Sequence, residues 1–202
     1  MKIMAFVGSP RKGSNVDILI DKVIEGAKSK TDVDDEKIYL YEADIKDCNA
    51  CGTCTPLQDN KDCPLQDDMP GILKCMVEAD AFIFGSPNHM HTMTSAMTNF
   101  LARMQPLVKM SLIKDDAGNI VGGDSVSLIT GKKSVMVVSQ GDFSPSASAL
   151  LLRVLDSNIK DFQLKKVGEV FSTGNFERAA VKNKPEALNL AFAKGVRLAA
   201  DA

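Results

Sequence analysis

The sequence predicts an α/β protein built on a doubly wound, five-stranded parallel sheet. Three observations carry that expectation. Five short apolar runs alternate with stretches in which apolar residues recur at i, i+3 and i+4. Each run is followed by a helix-length stretch, which calls for crossover connections and hence parallel pairing. The chain has 202 residues, 45% of them hydrophobic and 25% charged, enough for one domain over residues 1–202 with a substantial core.

Ile3-Met4-Ala5-Phe6-Val7 reads as the first strand, and Val16, Leu19, Ile20, Val23, Ile24 and Ala27 stripe the helix after it. Lys37 to Tyr41 is the second strand. The next helix carries Met69, Ile72, Leu73, Met76 and Val77 on one face, with Asp67 or Asp68 near its cap and Pro70 in its first turn. Ala81 to Gly85 is the third strand, and Met97, Phe100, Leu101 and Met104 mark its helix. Ser134 to Val138 is the fourth, followed by a helix with Leu150, Leu151, Val154 and Leu155 after Ser144-Pro145. Val167 to Phe171 is the fifth, and a last helix begins near Pro185. Two segments break the rhythm: a cysteine-rich stretch at 48–63, and residues 110–132, where Asp115-Asp116-Ala117-Gly118-Asn119 between apolar pieces predicts an inserted hairpin or arm.

Composition narrows the function classes. A net charge of −2 with no basic stripe leaves no nucleic-acid footprint. No apolar run approaches the length that spans a bilayer, and Met1-Lys2 leads directly into a strand, so a soluble cytoplasmic chain is expected. Five cysteines, four of them packed between 48 and 63, do not fit a secreted disulfide framework.

Gly8-Ser9-Pro10-Arg11-Lys12-Gly13-Ser14-Asn15 joins the first strand to its helix. Such a turn directs backbone N–H groups and the positive end of a helix dipole at one spot, which makes an anion site. Ser9, Ser14 and Asn15 add neutral donors and Arg11 a planar cationic fork; a merely capped turn would need only one of them. Neither G-x-x-x-x-G-K-[ST] nor G-x-G-x-x-G is present, so this is a phosphate loop of another kind. In a doubly wound sheet, ligands sit beyond the carboxyl ends of the strands, where the strand order reverses. Gly85 to Thr92 and Ser139-Gln140-Gly141-Asp142 should converge there with the phosphate loop and flank a flat ring.

Cys48, Cys51 and Cys54 stand at two-residue gaps, and Cys63-Pro64 follows after eight residues. That spacing lets thiolates wrap a compact iron–sulfur cluster, and a distant Cys-Pro echoes ferredoxin ligation. Zinc usually takes two separated C-x-x-C knuckles, and a redox disulfide would use only two of the four, but both remain open. Cys75 reads as a small buried side chain within a helix. His89-Met90-His91 forms an H-x-H pair that suits a loop beside a ring better than a metal site of its own.

The G-S-P-R-x-G-S-N turn, Gly85-Ser86-Pro87 and Asp67-Asp68-Met69 together resemble the flavodoxin-like NADPH-dependent FMN reductases. The cysteines make the chain similar to the iron–sulfur flavoprotein branch of that family, and the resemblance covers nearly the whole chain. It implies the strand order 2-1-3-4-5 and FMN as cofactor. The phosphate would lie at Ser9, Arg11, Ser14, Asn15 and Val16, the ring against Pro87, Asn88, His89 and Met90 and against Gln140 and Gly141. It further implies a [4Fe–4S] cluster on Cys48, Cys51, Cys54 and Cys63. The expected function is an FMN-dependent oxidoreductase that takes electrons from NAD(P)H or a protein donor and passes them to an acceptor, as a homodimer or larger assembly. A flavodoxin-like electron carrier and a thiol redox sensor are the other readings. His89 stands where relatives often carry an aromatic residue. No side chain is singled out as an acid or base, because a flavin carries the chemistry itself.

Overall fold

The computed structural model describes residues 1–200. The elements run β1 (Lys2–Val7), α1 (Asn15–Lys28), β2 (Asp34–Tyr39), α2 (Met69–Glu78), β3 (Ala81–Pro87), α3 (Ser95–Arg103), β4 (Val108–Lys114), β5 (Ile120–Ser127), β6 (Lys133–Ser139), α4 (Ala149–Asp161), β7 (Lys165–Ser172) and α5 (Pro185–Leu198). Five strands form one sheet in the order β2-β1-β3-β6-β7, every pair parallel. Counted along the sheet strands alone, this is the expected order 2-1-3-4-5.

Side chains of successive strand residues point to opposite faces, so each central strand feeds two cores. Met4, Phe6, Phe82, Phe84, Met136 and Val138 meet α2, α3 and α4 on one face. Ile3, Ala5, Val7, Ile83, Val135 and Val137 meet α1 and α5 on the other. The first core is aromatic at its centre: Phe6 lies 4.4 Å from Phe100 and 5.3 Å from Phe84, centroid to centroid. The second is closed by glycine. A Cβ on Gly195 of α5 would lie 1.8 Å from the Val23 carbonyl oxygen, and one on Gly26 of α1 would lie 2.0 Å from that of Phe192. The helices α1 and α5 therefore touch backbone to backbone, and this contact sets where α1 points its N-terminus.

The second strand lies earlier than its apolar residues suggest, at 34–39 and not 37–41. It is an edge strand, paired only with β1, so the exposed Asp34 and Glu36 and the half-buried Asp35 cost little there and the backbone ladder decides its extent. Its end is set by Glu42 and Ala43, whose N–H groups turn back onto the Tyr39 carbonyl. In α4 the inner stripe is Leu151, Leu155 and Ile159, while Leu150 and Val154 face outward. Val77 of α2 also faces outward.

Between α3 and β6, β4 and β5 pair antiparallel as a ribbon outside the main sheet, joined by the Asp115–Asn119 turn. Asp115 caps that turn, accepting from the N–H groups of Ala117 and Asn119. Ile113, Ile120, Val121 and Val126 stand exposed on the ribbon. No helix among the described residues is long and apolar enough to cross a membrane.

The crossing of α1 and α5 yields a prediction. Gly195→Ala should destabilise the fold by about 3 kcal/mol, the upper end of overpacking effects, because the obstructing atom is backbone. A urea midpoint equal to that of the native chain would show that the helices can separate there freely.

Candidate functional site

At the carboxyl end of the sheet, β1 and β3 part company. The Gly8 N–H still reaches the Gly85 carbonyl at 2.7 Å, and beyond that bond one loop turns to α1 and the other toward α3. Thr94, the N-cap of α3, ties them together by donating its hydroxyl to the Gly8 carbonyl at 2.7 Å and accepting from Met97 N–H. The cleft that opens here is lined by Ser9, Arg11, Ser14, Asn15 and Val16, by Pro87, Asn88 and His89, and by Gln140 and Gly141. These are all the residues expected from the sequence except Met90. Ser139, Asn175 and Phe176 complete the lining.

The turn between β1 and α1 is braced from beneath. Ser14 caps α1 by accepting from Asp17 N–H, and Asp17 returns a carboxylate oxygen to Gly13 N–H at 2.7 Å. Gly13 has φ +64, a conformation glycine adopts without strain. The Asp17 carboxylate would repel an anion if left alone, but it is buried against Lys37 Nζ at 2.8 Å and the Tyr39 hydroxyl at 3.2 Å. Burial opposes the charge on Lys37, yet Asp17 and Asp21 hold its pKa above the ordinary lysine value. Lys12 is drawn away to Glu42 at 2.9 Å and lies over the Tyr39 ring. Of the two cations in the turn, Arg11 alone lines the cleft. Arg178, from the segment after β7, adds a third by packing on Gly13 and donating to the Lys12 carbonyl.

Not every expected donor faces the cleft with its side chain. The Asn15 amide donates to the carbonyls of Asn175 and Glu177 and accepts from Val181 N–H, so it fastens the β7–α5 segment to α1. What Asn15 offers a ligand is its backbone N–H in the first helical turn, where no intrahelical acceptor exists. Gln140 is equally committed, donating to the carbonyls of Asp142 and Ser144 and accepting from Asn88 and Ser148. Asn88 donates to Gln140 and to the Ala147 carbonyl at 2.9 Å, which leaves its Oδ1 buried with no donor. Asn175 repeats the pattern: its Nδ2 serves Ser139 and Ser172, and its Oδ1 is buried without a partner. Both residues line the cleft, and each carries a buried side-chain oxygen without a donor.

Met90 departs from expectation. His89 and Thr92 exchange both backbone hydrogen bonds, while Met90 and His91 sit at φ +49 and +69, the geometry of a two-residue reverse turn. That turn throws Met90 into solvent, 89% exposed and off the cleft wall. It also separates the histidines: His89 lines the cleft, while His91 Nδ1 lies 2.9 Å from the Ala147 carbonyl. Asn175 and Phe176 escaped the sequence reading because their loop follows the last strand. A consistent use of the carboxyl-end rule would have included it.

The cysteine segment forms a second site. Cys48, Cys51, Cys54 and Cys63 all line one cavity of about 430 Å³, with Pro64, Leu65, Arg103 and Pro106 among its walls. All four thiols are unbridged, as is Cys75, which is half-buried against the first core. The Cys51 thiol accepts or donates a hydrogen bond with the Thr53 hydroxyl at 3.2 Å, which lowers its pKa. Burial pushes the Cys54 thiol up, and the neighbouring Cys63, Cys48 and Cys51 add to that. Among the described residues no three His, Cys, Asp or Glu side chains meet tightly enough to hold a single ion. Asp67, in the D-D-M motif, is fully buried and paired with Arg103 at 2.6 Å. Burial alone would raise its pKa, but Arg103 and the N–H groups of Lys46 and Met69 hold it below the ordinary carboxylate value.

Known proteins share both the sequence and the fold. An iron-sulfur flavoprotein of Archaeoglobus fulgidus is 26% identical over 176 residues, covering 85% of this chain and 78% of its own. One of Methanosarcina thermophila is 31% identical over 113 residues, 56% of this chain and 53% of its own. Among solved structures, an FMN-dependent NADH-azoreductase of Bacillus anthracis in complex with FMN superimposes with a TM-score of 0.69 at 14% identity, covering 98% of this chain and 99% of its own. A NAD(P)H:quinone oxidoreductase of Methanothermobacter marburgensis gives 0.68 at 14% identity, covering 98% of each. At such identities the structural likeness establishes the fold. The sequence profile of the NADPH-dependent FMN reductases matches residues 1–155, and the chain belongs to that family of oxidoreductases.

Proposed function

We propose that the chain is an FMN-dependent oxidoreductase that takes electrons from NAD(P)H and hands them to an acceptor by way of a [4Fe–4S] cluster. The observation that carries the flavin assignment is the pairing of an anion-binding helix start with two orphaned buried acceptors in one cleft. A flavin answers both. Its phosphate suits Arg11, the Ser9 and Ser14 hydroxyls and the first N–H groups of α1, and its ring N–H and ribityl hydroxyls suit the Oδ1 atoms of Asn88 and Asn175. Pro87 and Phe176 supply apolar surface for a flat ring, and His89 adds a polar edge.

The cysteine cavity supports the second cofactor. Its four thiols surround a volume and do not meet at a point. Zinc needs its sulfurs on one small tetrahedron with bonds of about 2.3 Å, whereas a cubane offers a separate iron to each sulfur. The curated relatives named iron-sulfur flavoproteins point the same way. When bound, FMN accepts a hydride as two electrons and the cluster passes them on singly. The chain's own residues position the two groups and exclude water, and none is assigned as acid or base. The ribbon's exposed Ile113, Ile120, Val121 and Val126 support a self-associating chain.

Three outcomes follow. Arg11→Ala should weaken FMN binding at least about ten-fold, the equivalent of one charge-assisted hydrogen bond, and leave riboflavin binding almost unchanged. Equal losses for both ligands would take Arg11 off the phosphate. Protein purified and reconstituted without oxygen should carry iron and sulfide, oxidise NADPH or NADH, and lose most of its iron on Cys54→Ala but not on Cys75→Ala. Flavin-replete wild-type protein without iron would remove the cluster and leave the FMN assignment standing. Replacing Ile120 and Val121 with lysine should lower the assembly mass in sedimentation while flavin stays bound; an unchanged mass would place the interface elsewhere.

A further inference from the structure

Arg103 is the one buried cation among the described residues, 2% exposed at the end of α3. Its Nη1 donates to the Lys46 carbonyl at 2.5 Å and to Asp67 Oδ2 at 2.6 Å, and its Nη2 to Asp67 Oδ1 at 3.1 Å. The same Nη2 lies 3.7 Å from Cys63 Sγ. Nε is buried and has no acceptor at all. Asp67 in turn accepts from the N–H groups of Lys46 and Met69. One side chain thus grips both ends of the cysteine segment, before Cys48 and after Cys63.

Holding a loop shut does not require charge. A buried ion pair is poor value for stability, since apolar partners of similar size often serve as well or better. An unanswered Nε–H deepens that cost. What an apolar pair could not supply is a fixed cation and a hydrogen-bond donor at a cysteine sulfur.

We propose that Arg103 is a positioning residue that sets the charge balance of the cysteine cavity: its donor to Cys63 Sγ raises the reduction potential of the centre held there, and Asp67 limits the rise. The inference rests on the cluster reading given above. Reduction adds one electron to a body already ligated by four thiolates. A nearby cation and a sulfur-directed hydrogen bond stabilise the reduced form more than the oxidised one. No proton or further reactant enters that balance.

The test uses anaerobically reconstituted protein with both cofactors bound. Arg103→Met with Asp67→Asn removes both charges together, so neither is left buried alone. Asp67→Asn by itself leaves Arg103 unopposed, and Arg103→Lys keeps the charge while losing the fork. Redox titration followed by visible and electron paramagnetic spectra reads the cluster and the flavin separately. The double variant should lower the cluster potential and Asp67→Asn should raise it. Each change should be at least ten-fold in the equilibrium between oxidation states, about 59 mV for one electron. Arg103→Lys should stay near the native value, and the flavin potential should not move.

Unchanged cluster potentials, or shifts of the same sign in both variants, would reduce Arg103 to a structural tie. Iron-replete protein with those outcomes would overturn this proposal and leave the cluster reading standing, whereas wild-type protein that takes up no iron would overturn the cluster reading and this proposal with it.

Discussion

The last hydrogen bond between β1 and β3, from Gly8 N–H to the Gly85 carbonyl, is the constraint on which the rest of the molecule depends. Past it the two strands diverge, and a cleft exists only because they do. Neither residue can take a Cβ without a neighbour shifting. A Cβ on Gly85 would stand 2.6 Å from the Ile20 side chain and 2.7 Å from that of Val16, and one on Gly8 would stand 2.9 Å from the Gly85 carbonyl oxygen. The same contact brings α1 down onto the sheet, so the helix start that offers N–H groups to an anion is fixed to the strand beside which a ring would lie. Packing and ligand geometry are one arrangement at this point.

The two sites are held by different means, and that difference bears on how each can work. Around the cleft, Asn15, Gln140, Asn88 and Asn175 are spent largely on backbone carbonyls and neighbouring side chains, joining the loops after β1, β3, β6 and β7. What is left over, two carbonyl-type oxygens and the first N–H groups of α1, is held in place by those ties, as the proposed flavin site requires. Apart from one short helical turn at Pro56–Gln58, the cysteine segment has no regular structure of its own. It hangs from Arg103 and Asp67 at its neck, and Ala50, Gly52, Asp59 and Asn60 all adopt positive φ along its course. Rigidity there has to come from side-chain ties.

Much of this was legible in the sequence because the signals were periodic or local. The central strands are fully buried apolar runs, and buried runs of that kind leave little choice of element. The turn from Ser9 to Val16 stood out as a candidate anion site because its polar residues are contiguous, and it does line the cleft. The edge strand was misplaced because an edge gains from backbone pairing and needs no apolar pattern, so Asp34 to Glu36 gave no sign of it. The outer positions of α4 were misjudged because Leu150 and Val154 are apolar yet face away from the core. Arg103 and Asp67 were invisible as a pair, since nothing in a linear sequence brings residues 36 positions apart together. The turn at Met90 was lost for a related reason: two consecutive non-glycine residues at positive φ contradict every local preference and are held by their surroundings.

The long spacer between Cys54 and Cys63 and the inserted ribbon looked like two separate departures from a strand–helix rhythm, but they meet. The spacer runs through a short helical turn at Pro56–Gln58 to Asp59 and Asn60, and there it docks. The Asn60 amide accepts from Met110 N–H at 3.0 Å and donates to the Met110 carbonyl at 2.9 Å, which is the pair of bonds a strand residue would make. Lys109 Nζ then donates to the Asn60 carbonyl at 2.9 Å. A side chain thus stands in for a third strand on the open edge of β4, satisfying groups that an unpaired edge would leave to water or to another chain. The eight residues between Cys54 and Cys63 therefore dock on this chain's own ribbon, and Asn60 ties the cysteine segment to it.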